Sequence, residues 1–280
     1  MKARVTPIKP AIGATVEVDR ADLCDPEVVE TVREALERHS VLVFPRIGVS
    51  DAEQLAFTDA LGPRMQFGTP APGTDTQMPD VYKVSFEEAL GGRKEYVQGT
   101  FFWHIDGVMM DRPPSKATLL SARQLSATGG ETEFASLYAA YEALPEAEKQ
   151  EIEGLRVFHS IEPSMKLIFD DPTPEQTALW RGDSRCLRPI VWTHESGRKS
   201  LVIGYSADRV EGMPPADGRA LLLRLIEWAA QPAFRYTHKW QDGDLVLWDN
   251  TGVMHRVRPY DETSGRKMHR TSIAGTEMVV

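Results

Sequence analysis

Three residues that lie far apart in the chain, His104, Asp106 and His255, constrain the fold more than any other sequence feature. His104 and Asp106 stand two positions apart in residues 101–106, a stretch rich in aromatic and β-branched side chains. If this stretch is a strand, both side chains share one face, because strand side chains alternate with a period of two. Two imidazoles and one carboxylate on a metal ion form the facial arrangement of non-haem iron(II) oxygenases. A fold that uses this metal motif must bring His255 to the strand.

A histidine two residues from an aspartate is by itself also typical of a surface pair or of a hydrogen-bonded core histidine. The chain has seven histidines, and His159, which follows Val157 and Phe158 in a predicted strand, is the strongest rival ligand. Nothing near His159 repeats the pattern around His255. We therefore interpret His159 as a structural residue or as one that supports the site.

Two arginines follow His255 at even spacing, in a segment with strand character that ends at Gly275. In a strand, Arg266 and Arg270 face the same side as Met268, towards the interior. A buried guanidinium needs an anionic partner, and its planar fork pairs bidentately with a carboxylate. The obvious source of that carboxylate is a ligand, although arginines near a C-terminus are also commonly solvated surface charges.

With these residues in place, the chain resembles the taurine dioxygenase / 2,4-dichlorophenoxyacetate dioxygenase (TauD/TfdA) family of iron(II)- and 2-oxoglutarate-dependent oxygenases. The similarity is ordered along nearly the whole chain, and its motifs are together strongly specific. Besides the metal motif, the matching segments are residues 11–14, 40–45, 113–114, 128–132, 138–145, 243–244, 248–250 and 266–270.

The resemblance implies that the metal motif holds a catalytic iron(II). It also implies that Thr132 and Arg266 bind the distal carboxylate of 2-oxoglutarate, and that Arg270 is the anion-binding arginine near the substrate. 2-Oxoglutarate chelates the metal through its keto oxygen and adjacent carboxylate, so its other carboxylate needs a fixed cation. Gly129 and Gly130, which precede Thr132, are expected to form a turn.

The resemblance also implies a fold, namely a double-stranded β-helix, or jelly roll, with flanking helices. The residue pattern alone indicates only an α+β fold. The implied enzyme uses iron(II), 2-oxoglutarate and O2 to hydroxylate a C–H bond, with release of succinate and CO2. Two alternatives stay open: the same scaffold with a desaturation, epimerisation or oxidative decarboxylation outcome, or a non-enzymatic jelly-roll binding module in which the metal motif is incidental.

The substrate is expected to be a small organic anion that is partly hydrophobic. The candidate substrate residues are Gln66, Phe67, Phe102, Val108 and Arg270. Arg270 offers a cation to a carboxylate, sulfonate or sulfate, and the aromatic residues offer an apolar wall. Residues 64–68 and 100–102 lack the histidine and the asparagine that contact taurine in the family's taurine enzyme, so taurine is not the expected substrate.

Local signals predict several elements. Asp25 and Pro26 predict the start of a helix over residues 27–36, and a capping box that begins at Ser50 predicts a second helix that stops at Gly62. A buried strand over residues 41–44 is expected between them.

We predict one domain over residues 1–280. Residues 68–99, rich in glycine, proline and threonine, are expected to form a lid over the substrate or, equally, an exposed surface loop. Residues 163–187 are expected to form an irregular insertion that shapes the pocket.

Charge and cysteine content narrow the class of partner. The formal net charge is −9, and no dense block of lysine and arginine occurs, so a nucleic-acid partner is not expected.

The two cysteines are too few for a disulfide framework, and the N-terminus has no continuous apolar stretch. Both features favour a cytoplasmic protein with no membrane contact. The expected partner is a small molecule, and the resemblance adds a homodimer or homotetramer.

Overall fold

A seven-stranded sheet dominates the computed structural model, which describes residues 2–66, 78, 80–87, 94–109, 112–181 and 186–280. The strands in that part of the chain are β1 (Ala3–Pro7), β2 (Ala14–Val18), β3 (Val41–Phe44), β4 (Tyr82–Val84), β5 (Ala117–Gln124), β6 (Thr132–Ser136), β7 (Arg156–His159), β8 (Cys186–Pro189), β9 (Val191–Thr193), β10 (Lys199–Leu201), β11 (Ala207–Val210), β12 (Arg235–His238), β13 (Leu245–Asp249), β14 (Val253–Val257) and β15 (Lys267–Ile273). The helices are α1 (Pro26–His39), α2 (Asp51–Leu61), α3 (Lys94–Gly99), α4 (Leu137–Glu142), α5 (Glu146–Ile152), α6 (Glu162–Met165), α7 (Pro174–Arg181) and α8 (Pro215–Ala229).

The large sheet has the order β1-β2-β3-β13-β5-β15-β4 and is antiparallel except between β2 and β3. Its central strands are buried on both faces. In β3, Leu42 and Phe44 pack in a cluster with α1 and α2, whereas Val41 and Val43 pack in a cluster on the opposite face. Continuous apolar sequence in these strands therefore reflects two covered faces.

A smaller sheet, with the order β12-β6-β14, lies across the second face of the large sheet. Phe134 of β6 and Val253 of β14 pack with Trp248 and Val246 of β13, so the two sheets enclose a common core. The other side of the small sheet packs on α4 and α8, where Ala135 and Met254 meet Leu222. Short sheets of β11-β7-β8 and β10-β9 extend this second layer. The result is a mixed α/β fold with stacked sheets.

The helix caps form as the sequence predicts. The Asp25 side chain accepts a hydrogen bond from the Glu27 amide, with Pro26 at the first helical position of α1. Ser50 and Glu53 form a complete capping box at the start of α2, which ends at Leu61 before Gly62. The predicted buried strand is β3. None of the described helices is long and apolar enough to span a membrane.

Three expectations are changed by the structure. Residues 101–106 do not form a strand: only His104 makes a bridge, and the chain turns at Asp106. The insertion over residues 163–187 is less irregular than expected, because it holds α7 and the start of β8. In the lid segment, residues 68–99, the structure describes β4 and α3, while residues 68–77, 79 and 88–93 lie outside the described residues. Lid motion stays a prediction.

Candidate metal centre

Backbone pairing across the chain brings the two histidines of the metal motif together. The His104 amide donates to the His255 carbonyl at 3.0 Å, and the His255 amide donates to the His104 carbonyl at 2.9 Å. This isolated antiparallel bridge adds His104 to β14 at the side of the small sheet. The two imidazole centroids consequently lie 4.2 Å apart.

Asp106 completes the cluster from the turn after His104. Its Oδ1 lies 3.9 Å from His104 Nε2, and its Oδ2 lies 3.9 Å from His255 Nε2. All three potential ligand atoms lie within 4.8 Å of one another, and no other group of this kind occurs among the described residues. Each carboxylate–imidazole distance is shorter than the summed length of two metal–ligand bonds of about 2.1 Å. One metal ion can therefore contact the carboxylate and both imidazoles.

A chain of hydrogen bonds fixes Asp106 from the large sheet. Trp248 Nε1 donates to Asn250 Oδ1 at 2.8 Å, and Asn250 Nδ2 donates to Thr118 Oγ1 at 2.7 Å. Thr118 in turn donates to Asp106 Oδ2 at 3.0 Å. Residues 248–250, one of the segments in which the sequence resembles the family, therefore support the metal motif through Thr118. We did not identify Thr118 from the sequence, because a threonine in a strand is ordinary.

The protonation states also suit a metal. The Phe102 carbonyl lies 2.8 Å from His104 Nδ1. Because a carbonyl only accepts, Nδ1 donates to it, which leaves Nε2 to face the other ligands. Burial lowers the pKa of His255 to about 3, which keeps this ring neutral. Burial alone would raise the pKa of Asp106, but the positive charges around it, first among them Arg270, lower it to about 2. Neutral imidazoles and an ionised carboxylate are the forms that bind metals.

Arg266 is buried at the edge of the site, with only 3% of its surface exposed. Its Nη2 donates to the Gly130 carbonyl at 3.2 Å, and its guanidinium carbon lies 4.7 Å above the Tyr260 ring. Burial lowers the pKa of the Arg266 guanidinium from its ordinary value. Among the described residues no carboxylate forms an ion pair with Arg266, so this cation is free to take an external anion.

The Gly129–Gly130 pair explains how Arg266 comes so close to the backbone. Both glycines have left-handed backbones, with φ of +70° and +79°. A Cβ on Gly129 would overlap the carbonyl oxygen of Pro259, and one on Gly130 would lie 3.0 Å from Arg266 Nε. Gly129 forms an isolated antiparallel bridge with Tyr260, and the chain bends just before it, at residues 127–128, rather than at the two glycines. Thr132, at the start of β6, is buried, and its hydroxyl accepts a hydrogen bond from Trp240 Nε1 at 2.9 Å.

A cavity of about 300 Å³ opens on the metal motif. Its polar residues include His104, Asp106 and Arg270, and the Arg270 guanidinium lies 3.5 Å from Asp106 Oδ1 and 5.1 Å from the Tyr82 ring centre. The apolar part of the wall includes Val84, Val97, Phe102, Ile161, Met165 and Tyr205.

The candidate substrate residues are distributed unevenly around this cavity. Phe102 and Arg270 line it. Val108 does not, because it packs in the core with Trp103, and its neighbour Met109 lines the cavity instead. Gln66 is exposed and is not among the lining residues. Phe67 lies outside the described residues.

Sequence reasoning missed the cavity residues that come from α6 and from the loop before β11. Ile161, Ser164 and Met165 lie on or beside α6, and Tyr205 and Ser206 precede β11. The only available signal was the position of the insertion. His159, the rival ligand, lies behind this wall, where its Nδ1 is 3.0 Å from the Ser206 hydroxyl. Through this contact, His159 supports the cavity wall at Ser206.

Comparisons with known proteins agree with this geometry. The family model described as "Taurine catabolism dioxygenase TauD, TfdA family" matches residues 4–272. The chain is 35% identical to the alpha-ketoglutarate-dependent 2,4-dichlorophenoxyacetate dioxygenase of Cupriavidus pinatubonensis, over 97% of this chain and 98% of that protein. It is 34% identical to the (S)-phenoxypropionate/alpha-ketoglutarate-dioxygenase of Sphingobium herbicidovorans, over 97% and 94% of the two chains.

A solved structure is also similar to this chain in both fold and sequence. The crystal structure of AAD-2 in complex with Mn(II) and N-oxalylglycine superposes with a TM-score of 0.82 at 33% identity and covers 99% of both chains. Sequence and structure thus match along the whole length of the chain. The chain belongs to the TauD/TfdA family of dioxygenases.

Proposed function

We propose that this 2-oxoglutarate-dependent dioxygenase hydroxylates a C–H bond of an aryloxyalkanoate or a similarly hydrophobic organic acid. The observation that carries the proposal is the cavity on the metal motif, in which the Arg270 guanidinium stands among largely apolar walls. A small anion with an aromatic or aliphatic body satisfies both features. Its carboxylate would pair with Arg270, and its body would lie against Phe102 and Tyr205.

The metal motif would hold iron(II) through His104 Nε2, His255 Nε2 and one carboxylate oxygen of Asp106. When bound, iron(II) with 2-oxoglutarate and O2 supplies oxidative chemistry in which one oxygen atom enters the substrate C–H bond and the other enters succinate, with loss of CO2. The residues of the chain bind, orient and exclude water. Thr118 holds Asp106 in one orientation, and the Phe102 carbonyl does the same for His104.

Arg266 would bind the distal carboxylate of 2-oxoglutarate, and the Thr132 hydroxyl would donate to the same group. The support is electrostatic, because a guanidinium that is 97% buried and has no carboxylate partner among the described residues is costly without an anion. Trp240 donates to the Thr132 oxygen, so the Thr132 hydrogen is available to a further acceptor. We further propose that the stacked sheets form the double-stranded β-helix expected of the family.

The names of the relatives support the substrate class. One acts on 2,4-dichlorophenoxyacetate and the other on (S)-phenoxypropionate, and both are carboxylic acids that carry an aryl ether. The test is a panel of aryloxyalkanoates, sulfate esters, sulfonates and amino acids, scored by succinate formation with iron(II) and 2-oxoglutarate. Product masses identify hydroxylation. A stimulation of succinate by sulfonates or amino acids but by no aryloxyalkanoate would overturn the substrate proposal.

The cosubstrate assignment has its own test. Replacing the buried cation in Arg266→Gln should raise the KM for 2-oxoglutarate by about 100-fold, since truncating one partner of a buried charge pair costs about 2–5 kcal/mol. Arg4→Gln, on the opposite edge of the large sheet, removes the same charge at a 77% exposed side chain and should leave this KM unchanged. Equal values for the two variants would refute the role of Arg266.

A further inference from the structure

We propose that Ser206 is a specificity-determining residue of the metal cavity, and that its hydroxyl donates a hydrogen bond to the ether oxygen of an aryloxyalkanoate. The inference rests on the proposed function, because it names the atom of that substrate class that the cavity recognises besides the carboxylate. Ser206 lines the cavity and is buried, with only 6% of its surface exposed. Its hydroxyl can therefore meet a substrate with little competition from bulk water.

The loop that carries Ser206 is held against the metal motif. The Tyr205 amide donates to the Trp103 carbonyl at 2.8 Å. A Cβ on Gly204 would lie 2.9 Å from the same carbonyl oxygen and 3.4 Å from His104 Cα, so a side chain there would displace the loop. Ser206 follows two positions later, and its Cα is therefore within about 7 Å of the Gly204 Cα. The loop thus presents Ser206 close to the metal ligands.

His159 supports the Ser206 hydroxyl from behind the cavity wall. Its Nδ1 lies 3.0 Å from Ser206 Oγ. The Ser206 carbonyl accepts a hydrogen bond from the Ser160 amide at 2.8 Å, which fixes the backbone of the loop. Burial, followed by the charge of Arg188, lowers the pKa of His159 to about 3, so the ring is neutral and carries one hydrogen. The position of that hydrogen decides whether Ser206 donates or accepts.

The hydrogen of the neutral His159 ring belongs on Nδ1. The other ring nitrogen, Nε2, is buried without a hydrogen-bond partner among the described residues. Buried N–H groups without an acceptor are rare in folded proteins, because each has lost its hydrogen bond to water. With the hydrogen on Nδ1, the ring donates to Ser206 Oγ, and the hydrogen of the serine hydroxyl remains for a further acceptor. Ser206 is therefore a donor towards the cavity.

The other serine and threonine hydroxyls in the described wall of the cavity lack this arrangement. Thr100 Oγ1 donates to the Val97 carbonyl at 2.6 Å, so its hydrogen is already used. The Ser164 hydroxyl, on α6, has no hydrogen-bond partner among the described residues that would orient it. A donor that is already oriented loses less entropy on binding than one that rotates freely. Ser206 is thus the hydroxyl best prepared to select a substrate.

The chemistry of the substrate class identifies the acceptor. In the proposed binding mode, the carboxylate pairs with Arg270, and the aromatic body lies against Phe102 and Tyr205. In an aryloxyacetate the ether oxygen lies between these two parts, bonded to the carbon that carries the carboxylate. Ser206 is the chain neighbour of Tyr205 and lies near the metal ligands, so its donor faces this middle region. A methylene group in place of the oxygen would leave the donor unpaired, and sites built to donate discriminate against such analogues.

The experiment compares two acids that differ in this atom alone, phenoxyacetate and 3-phenylpropionate, in which a methylene group replaces the ether oxygen. Their dissociation constants are measured by calorimetry on protein loaded with Mn(II) and N-oxalylglycine, so that no turnover occurs. The ether preference is the constant of 3-phenylpropionate divided by that of phenoxyacetate. Ser206→Ala should lower this preference by about two- to ten-fold, the range of one neutral hydrogen bond. A purely structural role of Ser206 would change both constants and leave their ratio.

The control variants separate the donor from its surroundings. Ser160→Ala deletes a neighbouring hydroxyl that is buried behind the wall and does not line the cavity, and it should retain the ether preference. His159→Leu removes the group that orients Ser206 and should lower the preference. His159→Gln can still donate to the Ser206 oxygen and should retain it.

The possible outcomes distinguish failure of this inference from failure of the proposed function. An ether preference that is unchanged in Ser206→Ala, or that is lost in Ser164→Ala instead, would overturn the role of Ser206. An unchanged preference in His159→Leu would overturn the orientation of Ser206 by His159. If the unmodified protein binds neither acid and forms no succinate with either, the proposed substrate class fails as well. Binding of both acids without an ether preference would reject the Ser206 contact alone.

Discussion

The metal side and the substrate side of the cavity are built from different kinds of backbone. On the metal side, His255 lies within β14, His104 is bridged to it, and Thr118 of β5 holds Asp106. On the substrate side, the wall comes from the short helix α6, from α3 and from the loop that carries Tyr205. The metal ligands thus rest on sheet pairing, whereas much of the apolar substrate wall comes from short segments between strands. The large sheet contributes Val84 of β4 and Arg270 of β15 to this side. A change of substrate can therefore evolve without disturbing the metal ligands.

Both sides of the cavity contain buried polar groups without a hydrogen-bond partner among the described residues. On the metal side, both carboxylate oxygens of Asp106 have hydrogen-bond donors, Arg270 and Thr118, but His255 Nδ1 has no partner. Behind the substrate wall, His159 Nε2 and the Ser160 hydroxyl are likewise unpaired. Unpaired buried groups therefore cost stability on both sides.

The largest effect is expected on the metal side. Asp106→Ala removes one ligand and should lower kcat/KM by more than about 1,000-fold for every substrate, because even groups that only orient a ligand contribute about 10–100-fold. Iron(II) affinity, measured anaerobically by calorimetry, should fall in parallel. Asp171→Ala, at an exposed carboxylate in the segment before α7, is the matched control. Retained activity in Asp106→Ala would contradict the ligand assignment.

The scaffold helices and the metal motif could be predicted from the sequence, because local rules or a specific motif apply to them. The caps of α1 and α2 depend on residues within one helical turn, and the buried strand β3 on a short apolar run. The metal motif was found through its spacing and the family resemblance. Its support by Thr118 could not be predicted, since the contact depends on the tertiary pairing of β5 with β13.

The substrate side shows where periodicity fails. A strand through His104 and Asp106 would place Val108 on the same face as these two residues. The chain instead turns at Gly107, whose φ of +80° breaks the alternation. Val108 therefore packs in the core, and Met109 lines the cavity. Similarly, no local signal in residues 163–187 indicated that Met165 would face the metal motif.

A second prediction concerns acid stability on the substrate side. Burial, followed by the charge of Arg188, lowers the pKa of His159 to about 3. The unfolded chain binds a proton at this histidine near pH 6.5, whereas the folded chain does not until near pH 3, so stability falls as the pH decreases through this window. Between pH 7.5 and pH 5 this group should remove about 2 kcal/mol from the free energy of unfolding.

Urea unfolding at both pH values, in the unmodified protein and in His159→Gln, measures this contribution. Glutamine can still hydrogen-bond the Ser206 hydroxyl but does not titrate, so the variant should lose about 2 kcal/mol less than the unmodified protein on acidification. The difference between the two proteins at pH 7.5 gives the packing cost by itself. An identical pH dependence in both would mean that His159 is not held neutral by burial.

The smallest effect should separate the two sides most clearly. Met165 lines the cavity from α6, which is held in place by ion pairs of Glu162 with Lys166 and Arg181, both at 2.6 Å. Met165→Ala enlarges this wall and should change the kcat/KM ratio of a bulky to a small aryl substrate by about five-fold, since one methylene is worth about 1–3 kcal/mol in such pockets. Leu179→Ala, at a side chain of α7 that is 75% exposed, should leave the ratio unchanged.

Asp106→Ala should lower both kcat/KM values and leave their ratio near that of the unmodified protein, because a lost ligand affects all substrates equally. If instead Met165→Ala lowers both values in proportion, α6 would belong functionally with the metal side, and the division between the two sides would fail.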